Sequence, residues 1–339
     1  MLTIYNAKDV SSLGHGAQRS IQMTLIRHLA DLKLNQQENA TTTLLLIDEP
    51  ELYLHPQAIE ILRKSLNILA EQGYQVIFTT HSPFMITHKD VGNAVLVRKN
   101  NIQGTFKRVT LRSAVPTIET EAESQLTILY SLSNSSNILF SERVILTEGK
   151  TENVLIPFLI ENITNKAILH HKAALVKLDG SGSTKKAMQV LDVMDLPTKA
   201  IVDLDYALKY GIKNGYLVEG DLDIQACLNC LTNIADTENI SLAPDGWPQK
   251  GNSKTAAEGF AILAKYESVK DNIVNICEKM KEHNIWVWKK GTIEDHLHLN
   301  GKSNQIWASF CASLDSSDLE TLLPDDYEEI QNCINWILS

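Results

Sequence analysis

The chain has 339 residues, a formal net charge of −10 and ordinary apolar content, enough for two domains with a substantial core. The acidic balance argues against a broadly basic surface, so contact with a polyanion must rest on local groups such as Lys185, Lys186, Lys289 and Lys290. No apolar run reaches transmembrane length and no leader pattern opens the chain, which predicts a cytoplasmic protein without membrane association. Five cysteines, an odd number, imply no disulfide framework; Cys227 and Cys230 read as small apolar residues on one helix face.

Glycines and serines at 11–16 precede a helical pattern with Ile21, Leu25, Ile26 and Leu29 on one face. An apolar strand at 43–47 ends on Asp48 and Glu49. A helix over 56–71 follows, with Pro56 in its first turn. A second strand at 74–80 ends at His81. Two carboxylates after a buried strand suit a Mg²⁺ ligand and a group that polarises an attacking water. These segments resemble the C-terminal half of an ABC-type ATPase head. On that resemblance Ser12, Gly14, Gly16 and Gln18 match the signature loop, and Asp48 and Glu49 the Walker B pair. Leu54-His-Pro56 lies at the D-loop, and His81 is the switch histidine. No G-x-x-x-x-G-K-[ST] loop occurs, and Gly180-Ser-Gly-Ser-Thr-Lys185 lacks its spacing. ATP is therefore expected to bind only with a Walker A segment supplied by missing sequence or by a partner.

Short strands are predicted at 94–98 and 105–110 and a helix at 121–133, with a small polar linker over 131–137. The expected domains are an ATPase-like part at 1–137, a second domain at 138–300 and a helical extension at 301–339.

The second half alternates. A strand at 143–147 ends on Glu148, with a helix near 151–162 carrying Glu152. A strand at 173–178 ends at Asp179, a further pocket candidate or a plain turn aspartate. A helix near 184–194 follows, and then a strand at 199–203 that delivers Asp203 and Asp205. This order predicts an α/β fold with a parallel sheet flanked by helices, and ligands beyond the carboxyl ends of its strands. On a strand, Asp203 and Asp205 would face the same way. Carboxylates gathered there form a hard oxygen site suited to Mg²⁺ or Mn²⁺. The stretch 284–298 reads as a strand, a glycine turn and a capped helix start that contains Glu294; Trp286 and Trp288 read as core.

Glu148 followed by Asp203-x-Asp205 resembles the Toprim domain, in which a Glu and an Asp-x-Asp hold divalent metal for phosphoryl transfer. An ABC-type head followed by Toprim resembles the OLD (overcoming lysogenization defect) family, ATPase-coupled nucleases, many tied to defence against phage. The resemblance implies Glu148, Asp203 and Asp205 as catalytic metal ligands, with Glu152 and Glu294 completing a two-metal site and Lys289 or Lys290 as its cation. It implies a DNA endonuclease, with RNA left open because a metal site reads phosphate rather than sugar. It also implies a homo-oligomer formed through the ATPase half and a partner protein of a defence system. The competing expectation is a non-catalytic assembly subunit.

Overall fold

The computed structural model describes residues 43–87, 90–100, 104–110, 135–178 and 180–339, with single residues and short runs between 12 and 28 and at 102 and 113. The helix expected at 121–133, the first part of the linker at 131–137, much of the helix after residue 20, and Asp179 lie outside the described residues. Two compact units emerge, Met1–Val91 and Gly92–Ser339.

In the first unit, β1 (Leu44–Ile47) and β2 (Gln75–Phe78) pair in parallel through the crossover helix α1 (Pro56–Glu71). His55 caps α1 by accepting the Gln57 N–H, and Pro56 fills the first turn, where a missing N–H costs nothing. Ile59, Leu62, Leu66 and Leu69 recur at helical spacing and pack with Tyr74 and Met85 against Leu45, Ile47, Val76 and Phe78.

The second unit opens with an antiparallel hairpin, β3 (Val97–Asn100) with β4 (Gly104–Lys107). Arg98 donates to the carbonyls of Leu139 and Ser141 around the end of α2 (Ser135–Phe140), and Arg108 pairs with Asp195 at 3.3 Å. These contacts explain why the hairpin belongs to the second unit although it precedes residue 137.

Four parallel strands form the sheet behind the site: β5 (Arg143–Thr147), β6 (Ala173–Lys177), β7 (Thr198–Val202) and β8 (Ile285–Val287), in the order β6-β5-β7-β8. The chain steps from β5 out to β6, then returns past β5 to β7. The order therefore reverses between β5 and β7, where open α/β sheets bind ligands at their carboxyl ends. Both faces are covered, which is why the strands read as nearly unbroken apolar runs. On one face, α3 (Lys150–Thr164) buries Leu155, Ile156, Leu159 and Ile160 against Ile145, Ile201, Trp286 and Trp288. The tail helices α10 (Asn304–Ser316) and α12 (Tyr327–Leu338), with α11 (Leu319–Leu322) between them, pack into the same core through Trp307, Phe310, Leu319, Ile330 and Ile334. Residues 301–339 thus form part of the covering layer. α4 (Thr184–Val193) and α8 (Glu267–Lys281) contact the sheet at β7 and β8, and α6 (Leu222–Ile234) packs on α8 and on α7 (Ala256–Leu263). Cys227 and Cys230 are free and buried on α6, and burial raises the Cys227 thiol to about 12, so it is inert. No described helix is long and apolar enough to cross a membrane.

Because Leu159 is fully buried between the sheet and the tail helices, Leu159→Ala should destabilise the protein by about 2–5 kcal/mol. Urea unfolding measures this. An unchanged midpoint would contradict the packing of α3.

Candidate metal centre

The site begins where β5 stops. Glu148 follows the buried Thr147, and Gly149 is the N-cap of α3. A Cβ on Gly149 would stand 2.5 Å from Glu152 Oε2. Glycine therefore lets the Glu152 carboxylate fold back over the start of its own helix, where the backbone N–H groups of Gly149 and Glu152 stabilise its charge. Glu152 is only 3% exposed.

The second contribution comes from β7, by a different route from the one expected. The strand ends at Val202; Asp203 is the N-cap of α5 (Leu204–Tyr210), and Asp205 lies in its first turn. The two aspartates do not share a strand face. They converge because a cap and a first-turn residue both sit at the helix mouth. The Asp203 side chain does not cap the helix, and its backbone N–H faces Glu148 Oε2 at 3.5 Å. One carboxylate oxygen from each of Glu148, Asp203 and Asp205 lies within 4.8 Å of the other two.

The third contribution follows β8. The backbone N–H of Trp288 donates to the Val202 carbonyl, and that of Leu204 to the Gly291 carbonyl, so the 288–291 turn is laced to the start of α5. Thr292 and Asp295 form a reciprocal cap on α9 (Ile293–His296). Glu294, on the first turn of α9, accepts a hydrogen bond from Thr151 Oγ1 and pairs with Lys302 at 3.2 Å. The structure thus gathers Glu148, Asp203 and Asp205 directly. Glu152 stands close enough for its charge to act on Glu148 and Asp203, Glu294 acts in turn on Glu152, and Lys302 attracts Glu294, Asp203 and Glu152.

Lys289 pairs with Glu329 at 2.9 Å and Lys290 with Asp326 at 2.6 Å, so both are engaged by the tail. The cation felt by the acidic residues is Lys302, eight positions beyond Glu294. Sequence reasoning missed it because it stands in a polar loop with no motif of its own. Lys209, one turn after Asp205, lies 3.6 Å from that carboxylate.

The electrostatics are those of an under-compensated acidic site. Burial, followed by the charges of Asp205 and Glu152, pushes Glu148 up to about 7. Burial and Glu294 raise Glu152 to about 7 despite its backbone donors. Asp203 is driven well above the usual carboxylate range, first by burial and then by Glu152 and Glu148. Burial opposes the Lys302 charge, but Glu294 and Asp203 more than offset it and hold that ammonium above its ordinary value. Asp203 Oδ1 and Glu294 Oε2 are buried and lack a hydrogen-bond partner among the described residues. An all-oxygen donor set with orphaned lone pairs fits a hard divalent cation and does not fit the N/S chemistry of a structural zinc.

In the first unit, Asp48, Glu49 and His81 also come together. Thr79 Oγ1 donates to Asp48 and accepts the Glu49 N–H, and His81 Nε2 lies 3.4 Å from Glu49. A helical turn starts after Gly14, and Gln18 donates to the Leu13 carbonyl. A Cβ on Gly16 would sit 3.0 Å from the Tyr53 carbonyl oxygen, so a small residue is needed there. Ser12 is exposed.

Comparison with known proteins agrees with this geometry. The profile of the AAA ATPase domain matches residues 6–86. That of the Overcoming lysogenization defect protein-like TOPRIM domain matches residues 139–205. The chain is 36% identical over 337 residues to the Old nuclease of Escherichia phage P2, covering 97% of this chain and 56% of that protein. It is 23% identical over 334 residues to Endonuclease GajA of Bacillus cereus strain HuB5-5, covering 91% of this chain and 43% of that one. A second Endonuclease GajA, from Bacillus cereus strain VD045, is 27% identical over 222 residues, or 64% of this chain and 35% of the relative. The chain therefore spans about half or less of the length of these relatives. With the acidic residues in place at the ends of β5 and β7, the chain joins an AAA-type ATPase segment to a TOPRIM domain of the Overcoming lysogenization defect protein-like family.

Proposed function

We propose that this chain carries the catalytic centre of a divalent-metal-dependent endonuclease acting on DNA. The observation that carries the reading is the approach of Glu148, Asp203 and Asp205 to within 4.8 Å at the strand-order reversal. The names of the relatives, a nuclease and two endonucleases, support it. When bound, Mg²⁺ or Mn²⁺ ions would supply Lewis acidity to the phosphodiester oxygens and an activated water. Glu148, Asp203 and Asp205 would hold one ion; Glu152 and Glu294 would complete a second position. The chain's own part is to fix five carboxylates on rigid element ends, to exclude water from their inner oxygens, and to set a cation beside them. In this reading Lys302 takes the role expected of Lys289 or Lys290, stabilising charge on the scissile phosphate.

The same proposal includes a cytoplasmic setting, self-association through the ATPase-like half, and service with a partner protein in defence against phage. Ser12, Gly14, Gly16, Gln18, Asp48, Glu49 and His81 would serve a nucleotide site completed by Walker A sequence from elsewhere.

Two outcomes test the reading. Asp203→Asn should reduce Mn²⁺-dependent plasmid nicking by at least the roughly 10–100-fold seen for lesser losses around metal sites. Nicking at the wild-type rate would contradict it. The second test uses pH. A carboxyl whose folded pKa lies above its unfolded value binds its proton more tightly in the folded state, which stabilises the fold at low pH. That contribution is lost as pH rises from the ordinary 4.5 through the folded value of about 7 for Glu148 and Glu152. Without metal, the melting temperature should therefore fall across this window, and Mn²⁺ should raise it more at pH 8 than at pH 5. A Mn²⁺ effect that is larger at pH 5 would count against the site.

A further inference from the structure

Asp326 occupies the N-cap of α12, the position at which an aspartate ordinarily accepts the helix's own N–H groups. Its side chain makes no such bond. The carboxylate turns instead toward the segment after β8. Oδ1 takes His296 Nδ1 at 2.6 Å, and Oδ2 takes Lys290 Nζ at 2.6 Å and His298 Nε2 at 3.1 Å. The Lys290 N–H donates to His296 Nε2 at 3.2 Å, which makes that nitrogen an acceptor and leaves Nδ1–H to donate to Asp326. Asp326 and His296 are each 1% exposed, and the His296 ring stacks at a tilt on Trp288, 5.2 Å between centroids. Burial would raise the Asp326 carboxyl, but bonds from His296 and Lys290 hold it well below the usual carboxylate range. One turn along α12, Glu329 holds Lys289. The start of α12 thus grips both ends of a ten-residue segment, and the one carboxylate which that segment sends to the metal centre is Glu294.

We infer that Asp326 is a positioning residue for the metal centre: by anchoring Lys290, His296 and His298 it fixes α9 and keeps the Glu294 carboxylate beside Glu152 and Lys302. The inference rests on the metal-site reading above and extends it to the tail helix. α9 has only four residues, and Ile293 with the adjoining Leu297 seats it in the core. To that apolar anchorage Asp326 adds three polar contacts along the segment, at Lys290, His296 and His298. Giving up a cap costs stability, a sacrifice that makes sense where the carboxylate orients something else.

The test is Mn²⁺ affinity, measured by calorimetric titration on the full chain, with thermal unfolding in parallel. Asp326→Asn should weaken Mn²⁺ binding roughly 10-fold, the scale of lost outer-shell support. In a Glu294→Gln background the same change should have no further effect, because the residue it positions is already disabled. Wild-type Mn²⁺ affinity in Asp326→Asn would overturn the inference. So would an equal loss in the Glu294→Gln background, which would mark general loosening. Should Asp326→Asn fail to fold, Lys290→Gln removes one anchor only; it should give a smaller loss that again vanishes without Glu294, and a loss that persists there would sink the idea. Asp203→Asn separates the two proposals: if Mn²⁺ binding survives it, the metal-site reading itself fails, whatever Asp326 does.

Discussion

Negative charge crowded into a partly dry pocket is the condition on which this structure turns. Two unit charges about 4 Å apart repel by about 4 kcal/mol at an effective dielectric near 20. Glu148, Asp203 and Asp205 bring oxygens that close, with Glu152 and Glu294 adding to the field. Among the described residues, Lys302 and Lys209 are the ammonium groups set against these five carboxylates. Two positive charges do not balance five negative ones, and burial, reinforced by this uncompensated repulsion, raises Glu148, Glu152 and Asp203. Such crowding is relieved by protonation or by a divalent cation among the carboxylates.

The scaffold makes the crowding sustainable. β5 and β7 are adjacent, with Thr147 in register with Ile201, so the residues that follow them cannot avoid each other. Each strand runs straight into a helix, which places the carboxylates at positive helix ends and eases part of the repulsion. The covering layer on the α3 side includes the tail, whose α12 reaches back to Lys289, Lys290 and His296. Stability and site geometry are therefore coupled: the helices that bury the sheet also orient the last acidic contributor.

Much of this was legible in the residues. Strands buried on both faces show as unbroken apolar runs, and β5, β6 and β7 were placed within a residue or two. Glu148 and Asp203 were legible because each stands directly after such a run. Less legible was how Asp205 joins them: the boundary between β7 and α5 falls at Asp203, and a one-residue shift turns a strand-face argument into a helix-cap one. Lys289 and Lys290 sat closest in sequence to Glu294, yet Glu329 and Asp326 claim them from some forty positions away. Lys302 was hidden for the converse reason, since only the folded path of the loop after α9 brings it to Glu294. Ion pairing across long sequence separation follows the packing of helices, and local pattern does not record it.

The central claim is that these carboxylates share divalent metal. Anomalous diffraction from crystals soaked in Mn²⁺ addresses it most directly. The account predicts a strong peak bounded by the side chains of Glu148, Asp203 and Asp205, with any second peak on the Glu152 and Glu294 side. Peaks confined to other surfaces, with those three side chains turned away from one another, would contradict it.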